Sequence, residues 1–347
     1  MVLQRMAKKP EKSIVEFKFN LFLHRLWLSL KFYFHMINRR HIRIKVMQSL
    51  YAMLQSKNED IVKEEKFLKF SIQKLFDLYV LNLNLIAEIQ KQAEKKIALA
   101  KKKILATSED LAPNTRFVDN TCIHKIRKSE ALKEFTKKYK LENWDFDDEY
   151  VKIIYDELVK SDMYQSYLKA ENVRFEDEKE FTIQFFKSFI APNEKLAEYY
   201  EDKMITWVDD IPFVNTWIVK SLGKMNYKKD FALGRLYKDE DDENFVKELF
   251  TKTILKHTDY ENDIAKVTPN WDSDRIADID MILIKMAITE FLHFPSIPTK
   301  VTINEYIEIA KDYSTDKSSY FLNGVLDKLA KNFKKNNQIQ KIGRGLL

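Results

Sequence analysis

Apolar residues recur along this chain at intervals of three and four. Ile42, Val46, Ser49–Leu50 and Met53–Leu54 mark one such stripe, the spacing of an amphipathic helix. Asn38 stands ahead of it and can cap a helix whose first turn is Arg39-Arg40-His41-Ile42. From Asn58 to Leu105 the same period runs through Leu68, Ile72, Leu75, Tyr79, Leu83, Ile86, Ile97, Ala100 and Ile104. That pattern predicts one long helix or two stacked ones, of a bundle or coiled-coil kind. Thr107 to Asn120, with Ser108, Asp110, Pro113 and Asn114, breaks the period and reads as a linker. Helical spacing resumes over Ser129–Tyr139 and Asp147–Leu168, and the acidic run Tyr237–Glu243 supplies a linker and the cap of the next helix. A faint repeat is also present. Phe181, Phe186, Ile190, Leu196 and Trp207 are matched 64 residues later by Phe245, Phe250, Ile254, Tyr260 and Trp271. With one gap, Ile211 and Lys220 match Ile276 and Lys285. A duplicated unit produces such matches, and so does helical periodicity by coincidence.

Composition strengthens the helical reading. Only 5 glycines and 7 prolines occur in 347 residues, fewer than sheets and long loops usually need, which favours a mostly helical fold; the expected class is all-α. The single cysteine, Cys122, excludes an internal disulfide and is compatible with a reducing cytoplasm. Cys122 lies near His124, but no further Cys or His follows at zinc spacing, so no metal site is expected.

Charge is unevenly placed. Residues 1–35 hold seven basic and two acidic residues, so five of the six net positive charges of the chain reside there. Lys18, Arg25 and Lys31 interrupt every apolar run in that stretch, which argues against a secretory signal or a membrane span. A membrane-surface helix, a docking segment and sequence outside the native protein remain as readings, and the last is the one expected. The rest of the chain is nearly neutral, so only local clusters argue for nucleic acid. Arg39, Arg40, Arg43 and Lys45 form one at the start of a helix, where cations oppose the macrodipole. A phosphate partner or an ordinary solvated end both account for it. Lys95, Lys96 and Lys101–Lys103 are accounted for by a solvated helix end as well as by RNA.

The ends of the chain carry a resemblance. Arg39-Arg40-His41-Ile42-Arg43 followed by Gln48-Ser49-Leu50-Tyr51 resembles the opening helix of NusB proteins, an arginine-rich start followed by Gln-Ala-Leu-Tyr. Ile284-Lys285-Met286-Ala287-Ile288-Thr289-Glu290 is similar to the family's Leu-Arg-Ile-Ala-x-x-Glu helix. Ile297-Pro298, Lys300-Val301, Ile303-Asn304-Glu305, Ile307-Glu308 and Ala310-Lys311 follow the family pattern closely. Ser318 with Phe321-Leu322-Asn323-Gly324-Val325-Leu326-Asp327 closes it. These blocks span about a third of the chain.

The resemblance implies a NusB-like helical bundle enlarged by an additional helical region. The expected organisation is an extension over 1–35, disordered or not native, and a first family helix over 36–58. An inserted helical region follows over 59–240, then family helices over 241–335 and a basic tail over 336–347. The resemblance further implies a cytoplasmic factor that binds boxA RNA together with the ribosomal protein NusE. It would act with RNA polymerase and other Nus factors to suppress termination during ribosomal RNA synthesis, without a cofactor or catalysis. Carried over residue by residue, Arg39, Arg40, Arg43, Ser318, Tyr320, Phe321 and Asn323 are RNA contacts. Tyr51 and Asp280 are partner contacts. Two departures matter: His41 replaces a frequent arginine and Tyr320 a frequent lysine, each removing a positive charge, although Tyr320 could stack on a base. The basic stretch Lys331–Arg344 is either compensation or a flexible solubilising end. Gly324, unfavourable within a helix, is expected to permit close helix packing or a backbone approach to a ligand.

Two rival classes follow. Some ribosomal RNA methyltransferases carry a NusB-like domain, but they need a glycine-rich cofactor loop and a catalytic cysteine. Gly223, Gly234, Gly324, Gly343 and Gly345 form no such loop, and Cys122 lies in no motif. The other rival is a helical protein-interaction scaffold that does not bind RNA.

Overall fold

Residues 35–269 and 276–346 are described by a computed structural model. The extension expected over 1–35 thus lies outside the described residues apart from His35, as does Trp271 of the repeat. No strand occurs among the described residues; an isolated parallel bridge joins His35 to Arg235.

Helix α1 (Arg39–Gln55) starts as its sequence predicts: the Asn38 side chain accepts from the His41 backbone N–H at 3.1 Å. That bond satisfies one of the donors left over at a helix start. The face carrying Ile42, Val46, Leu50 and Met53 is buried. Helix α2 (Ile61–Ala100) is one continuous element of 40 residues, capped by Asp60. At 1.5 Å per residue it spans about 60 Å. Its middle is buried on every side, from Leu75 to Ile86 almost without interruption, so it serves as the axle about which other helices pack.

Two hydrophobic cores are strung on that axle. The first takes Leu75 to Ala93 of α2 and packs it against short helices. After the short α3 (Ser108–Leu111), which buries no residue, these are α4 (Thr121–Arg127), α5 (Glu130–Tyr139), α6 (Asn143–Phe146), α7 (Asp148–Val159) and α8 (Asp162–Lys169), followed by α9 (Phe175–Phe185), α10 (Glu194–Lys203) and α11 (Ile211–Gly223). The second core takes Leu68 and Ile72 of α2 together with α1. It is completed by α12 (Glu240–Val267), α13 (Asp278–His293), α14 (Thr299–Tyr313) and α15 (Ser318–Lys335). The region expected as an insertion therefore has its own apolar core.

Several local expectations change. The stretch 107–120 is not a bare linker: Phe117 is buried among Tyr164, Phe181 and Phe185. Gln90 of α2 holds the backbone there by donating to the carbonyls of Phe117 and Val118. The Asp147–Leu168 pattern divides into α7 and α8, because the Ser161 hydroxyl caps the second helix through the Tyr164 N–H. The two copies of the repeat do not share a local structure. Phe181 to Leu196 crosses α9, a π-turn and the start of α10, whereas Phe245 to Tyr260 lies within the unbroken α12. The C-terminal stretch is docked rather than free. Lys341 Nζ donates to the carbonyls of Glu290 and Phe294, which end α13, and the Ile342 N–H donates to Pro295.

The two cores meet along α1. Lys45 forms a buried ion pair with Asp210, at 2.6 Å, and Gln48 donates to Asp209. The Trp207 indole donates to the Lys74 carbonyl of α2 at 2.6 Å. The expected first family helix is therefore gripped on one side by the additional region.

Candidate nucleic-acid interface

The basic start of α1 carries no acidic residue in its first turn, so its charge must be balanced from elsewhere. Neighbouring helices supply that balance. Arg39 Nε meets Asp242 at 3.0 Å, from the acidic first turn of α12, and its guanidinium lies over the Phe245 ring. Arg40 makes a two-pronged contact with Glu305 of α14, both bonds 2.9 Å. This hydrogen bond holds the Glu305 carboxyl below its ordinary range and raises the Arg40 guanidinium. Such forked pairs fix the plane of the guanidinium. Arg39 and Arg40 retain 36% and 42% of their side-chain exposure, so each still offers a face to a ligand. They stand at the edge of an open cleft of about 820 Å³, lined also by Lys238, Asp241, Ser296 and Val301.

Arg43, expected to meet a phosphate, is placed otherwise. Only 2% of it is exposed. Its Nε and Nη2 donate to Glu290 at 2.6 and 2.9 Å, and Glu290 also accepts from Tyr306 at 2.7 Å and Thr302 at 3.1 Å. Burial opposes the Arg43 charge, but the Glu290 carboxylate outweighs it and holds the guanidinium above its ordinary value. A buried carboxylate with its acceptor sites filled in this way fixes how α1, α13 and α14 meet. Arg43 thus positions the two exposed arginines and has no free face of its own.

His41, the departure from arginine, also has a role. Its ring lies 3.7 Å, centroid to centroid, from Phe213 of α11, and Nδ1 is 2.8 Å from the Asn38 side-chain oxygen. Burial first, then the nearby Arg40 and Lys220 charges, lower its pKa from 6.5 to about 4. It is therefore a neutral contact between the two cores at physiological pH.

The residues expected on α15 divide. Tyr320 is 83% exposed, Asn323 and Gly324 are exposed, and Phe321 is half-buried against the second core. Ser318 is buried: its hydroxyl donates to Asp280 at 2.7 Å and lies within hydrogen-bonding distance of the Ser314 and Thr315 hydroxyls. The expected RNA contact Ser318 and the expected partner contact Asp280 are therefore one internal hydrogen-bonded pair that fixes the α15 start to α13. Burial withholds both from a partner in this conformation. Tyr51, the other expected partner contact, is 39% exposed. Gly324 does not serve helix packing, since no heavy atom lies within 4 Å of where its Cβ would be. Among the described residues no hydrogen bond or ion pair joins Tyr320 or Asn323 to Arg39 or Arg40; the candidate contacts lie on two helices, α15 and α1.

The residues that sequence reasoning missed are the carboxylates. Glu290 could have been noticed: with Lys285 it is a lone charge inside the apolar run Met281–Phe291. Charges in such a run need partners. Lys285 pairs with Glu261 at 2.6 Å. Asp242 and Glu305 gave no comparable signal, because acidic residues early in a helix are ordinary.

The sequence model of the NusB family matches residues 218–331, from within α11 into α15. A transcription antitermination protein NusB of Chloroherpeton thalassium is 44% identical over 104 residues, which is 30% of this chain and 49% of that protein. Its counterpart in Salinibacter ruber is 42% identical over 118 residues, 33% of this chain and 74% of the relative. A third, from Natranaerobius thermophilus, is 37% identical over 103 residues, 28% of this chain and 70% of the relative. The chain thus spans about half the length of the first relative and more than two thirds of the other two. No solved structure matches.

Proposed function

Because the chain belongs to the NusB family, we propose that it is a transcription antitermination factor that binds boxA RNA together with NusE. In this reading it works in the cytoplasm, joining RNA polymerase and other Nus factors to keep ribosomal RNA transcription from terminating. The relatives it matches are named transcription antitermination proteins. Binding alone suffices for the role; no bond is made or broken.

One observation carries the RNA component. The first turn of α1 holds two arginines against carboxylates, Arg40 in a forked pair, each with more than a third of its side chain exposed. Guanidinium groups held in this way can donate to phosphate oxygens from the remaining edge. On α15, Tyr320 and Asn323 are exposed and offer a ring and an amide to an unpaired base. Arg43 and Ser318 anchor α1 and α15 from within. Tyr51 is the exposed member of the pair proposed to meet NusE.

A protein scaffold without RNA binding is the second reading. Its support is the pairing of Arg39, Arg40 and Arg43 with Asp242, Glu305 and Glu290, which reduces the charge left for phosphates. Fluorescence anisotropy of a boxA RNA separates the two, measured with and without NusE at two salt concentrations. Salt-sensitive binding that tightens with NusE and weakens in the R39Q/R40Q double variant supports the first. Equal affinity for boxA and a scrambled RNA, unchanged by NusE, supports the second.

A further inference from the structure

The end of α11 and the loop after it form a basic surface that the proposed contacts do not use. Residues 220–230 contain four lysines, Lys220, Lys224, Lys228 and Lys229, against one acidic residue, Asp230. All four lysines are exposed. Among the described residues, Lys220 and Lys228 have no ion-pair partner. Between them stands Tyr227, with 71% of the residue exposed.

The loop is built rather than loose. Lys125 of α4 donates to the carbonyls of Tyr227 and Lys229, at 2.9 and 2.7 Å. The Asn226 side chain accepts from the backbone N–H groups of Lys228 and Lys229. The Tyr227 ring sits edge-on to Phe175, with centroids 6.2 Å apart. These bonds hold the loop backbone within the protein, while the Tyr227 ring and the Lys220 and Lys228 side chains are exposed. A favourable helix dipole explains Lys220 and Lys224, which lie at the end of α11. It does not explain Lys228 and Lys229 beyond the helix, nor an exposed tyrosine held between lysines.

Helix α11 links this surface to the start of α1. Phe213 of α11 touches His41, and Lys220 lies about two turns further along the same helix. Lys220 is close enough to His41 to disfavour its protonated form. Cations brought together across two cores, with ordered aromatics among them, are the combination that tracks a single strand: lysines follow the phosphates and a ring stacks on a base.

We propose that Lys220, Lys224, Tyr227, Lys228 and Lys229 form a second RNA-binding surface, which takes the single-stranded RNA flanking the segment held at Arg39 and Arg40. The inference extends the RNA-binding reading above, but it concerns sequence-independent contacts.

The test uses the full chain and two labelled RNAs in anisotropy titrations. One carries boxA alone, and the other carries it with single-stranded flanks of about ten nucleotides on both sides. The flanked RNA is expected to bind more tightly. In K220Q/K228Q that advantage should shrink, and the salt slope of log K should fall by about 1.4, two phosphate contacts on a single strand. Y227A should weaken the flanked RNA about fivefold or more and leave boxA alone unchanged. Because these side chains are exposed, circular dichroism should be unaltered. If flanks add no affinity, or if the advantage survives both variants, the surface does not bind RNA, and an acidic protein partner becomes the occupant. If boxA itself is not preferred over a scrambled sequence but the flank effect is lost in the variants, the boxA reading fails and this surface stands.

Discussion

Replacing Gly324 with alanine tests why an exposed helix interior holds so poor a helix former. Gly324 is the seventh residue of the 18-residue α15 and is exposed. A Cβ built there meets nothing within 4 Å, so alanine introduces no clash in the free protein. The substitution should therefore stabilise the fold by the helix-propensity difference, about 1 kcal/mol. In a protein of this size that corresponds to a rise in Tm of about 2 °C. The neighbours suggest why glycine is present nonetheless: Tyr320 and Asn323 are exposed beside it. If RNA backbone approaches that face closely, a methyl group obstructs it, and overpacking of this kind costs about 1 kcal/mol or more, roughly fivefold in affinity. Thermal melts and boxA anisotropy on the same G324A preparation read both effects. A gain in stability with a loss in affinity is the expected result. No gain in stability refutes the propensity argument. A gain with unchanged affinity removes the α15 face from the RNA surface.

Four other outcomes follow from the same contacts. E290A should cost about 3–5 kcal/mol in urea unfolding, since it leaves the Arg43 guanidinium buried without its carboxylate. D210A should loosen the junction of the two cores by stranding Lys45, 4% exposed, and hydrogen exchange should rise in α1 and α11 before other helices. R39Q/R40Q should weaken boxA binding and lower its salt slope by about 1.4 while leaving the second core folded. The pH dependence of unfolding should carry a His41 contribution. Its folded pKa of about 4 lies below the ordinary 6.5, so the unfolded chain takes up the proton first. Stability from this group is complete above pH 6.5 and is lost as pH falls towards 4; H41Q should flatten the profile in that window.

Much of the helical framework could be read from spacing. The period of three and four located α1, α2 and the helix of Ile303, Ile307 and Ala310, because an amphipathic stripe records which face is buried. Asn38 as a cap was legible for the same local reason: a side chain meets a backbone group three residues away. The blocks that resemble the family were legible as order and spacing of residues, before any geometry. Where side chains end up was not. Arg39, Arg40 and Arg43 are alike as a sequence, yet the first two stay at the surface and the third is buried against Glu290, 247 residues away. Arg43 follows Arg39 and Arg40 by one turn on the same helix face, so rotation does not separate them; α13 and α14, arriving over that second turn, bury it. Ser318 and Asp280 became one internal pair by the same route. The exposed strip at Lys220–Lys229 was composed of ordinary lysines until Lys125 and Phe175, from two other helices, fixed its loop in place. Local periodicity thus determined which segments are helices and which faces they bury. Charge pairing between distant helices, which no local pattern encodes, decided which polar groups remain available to a partner.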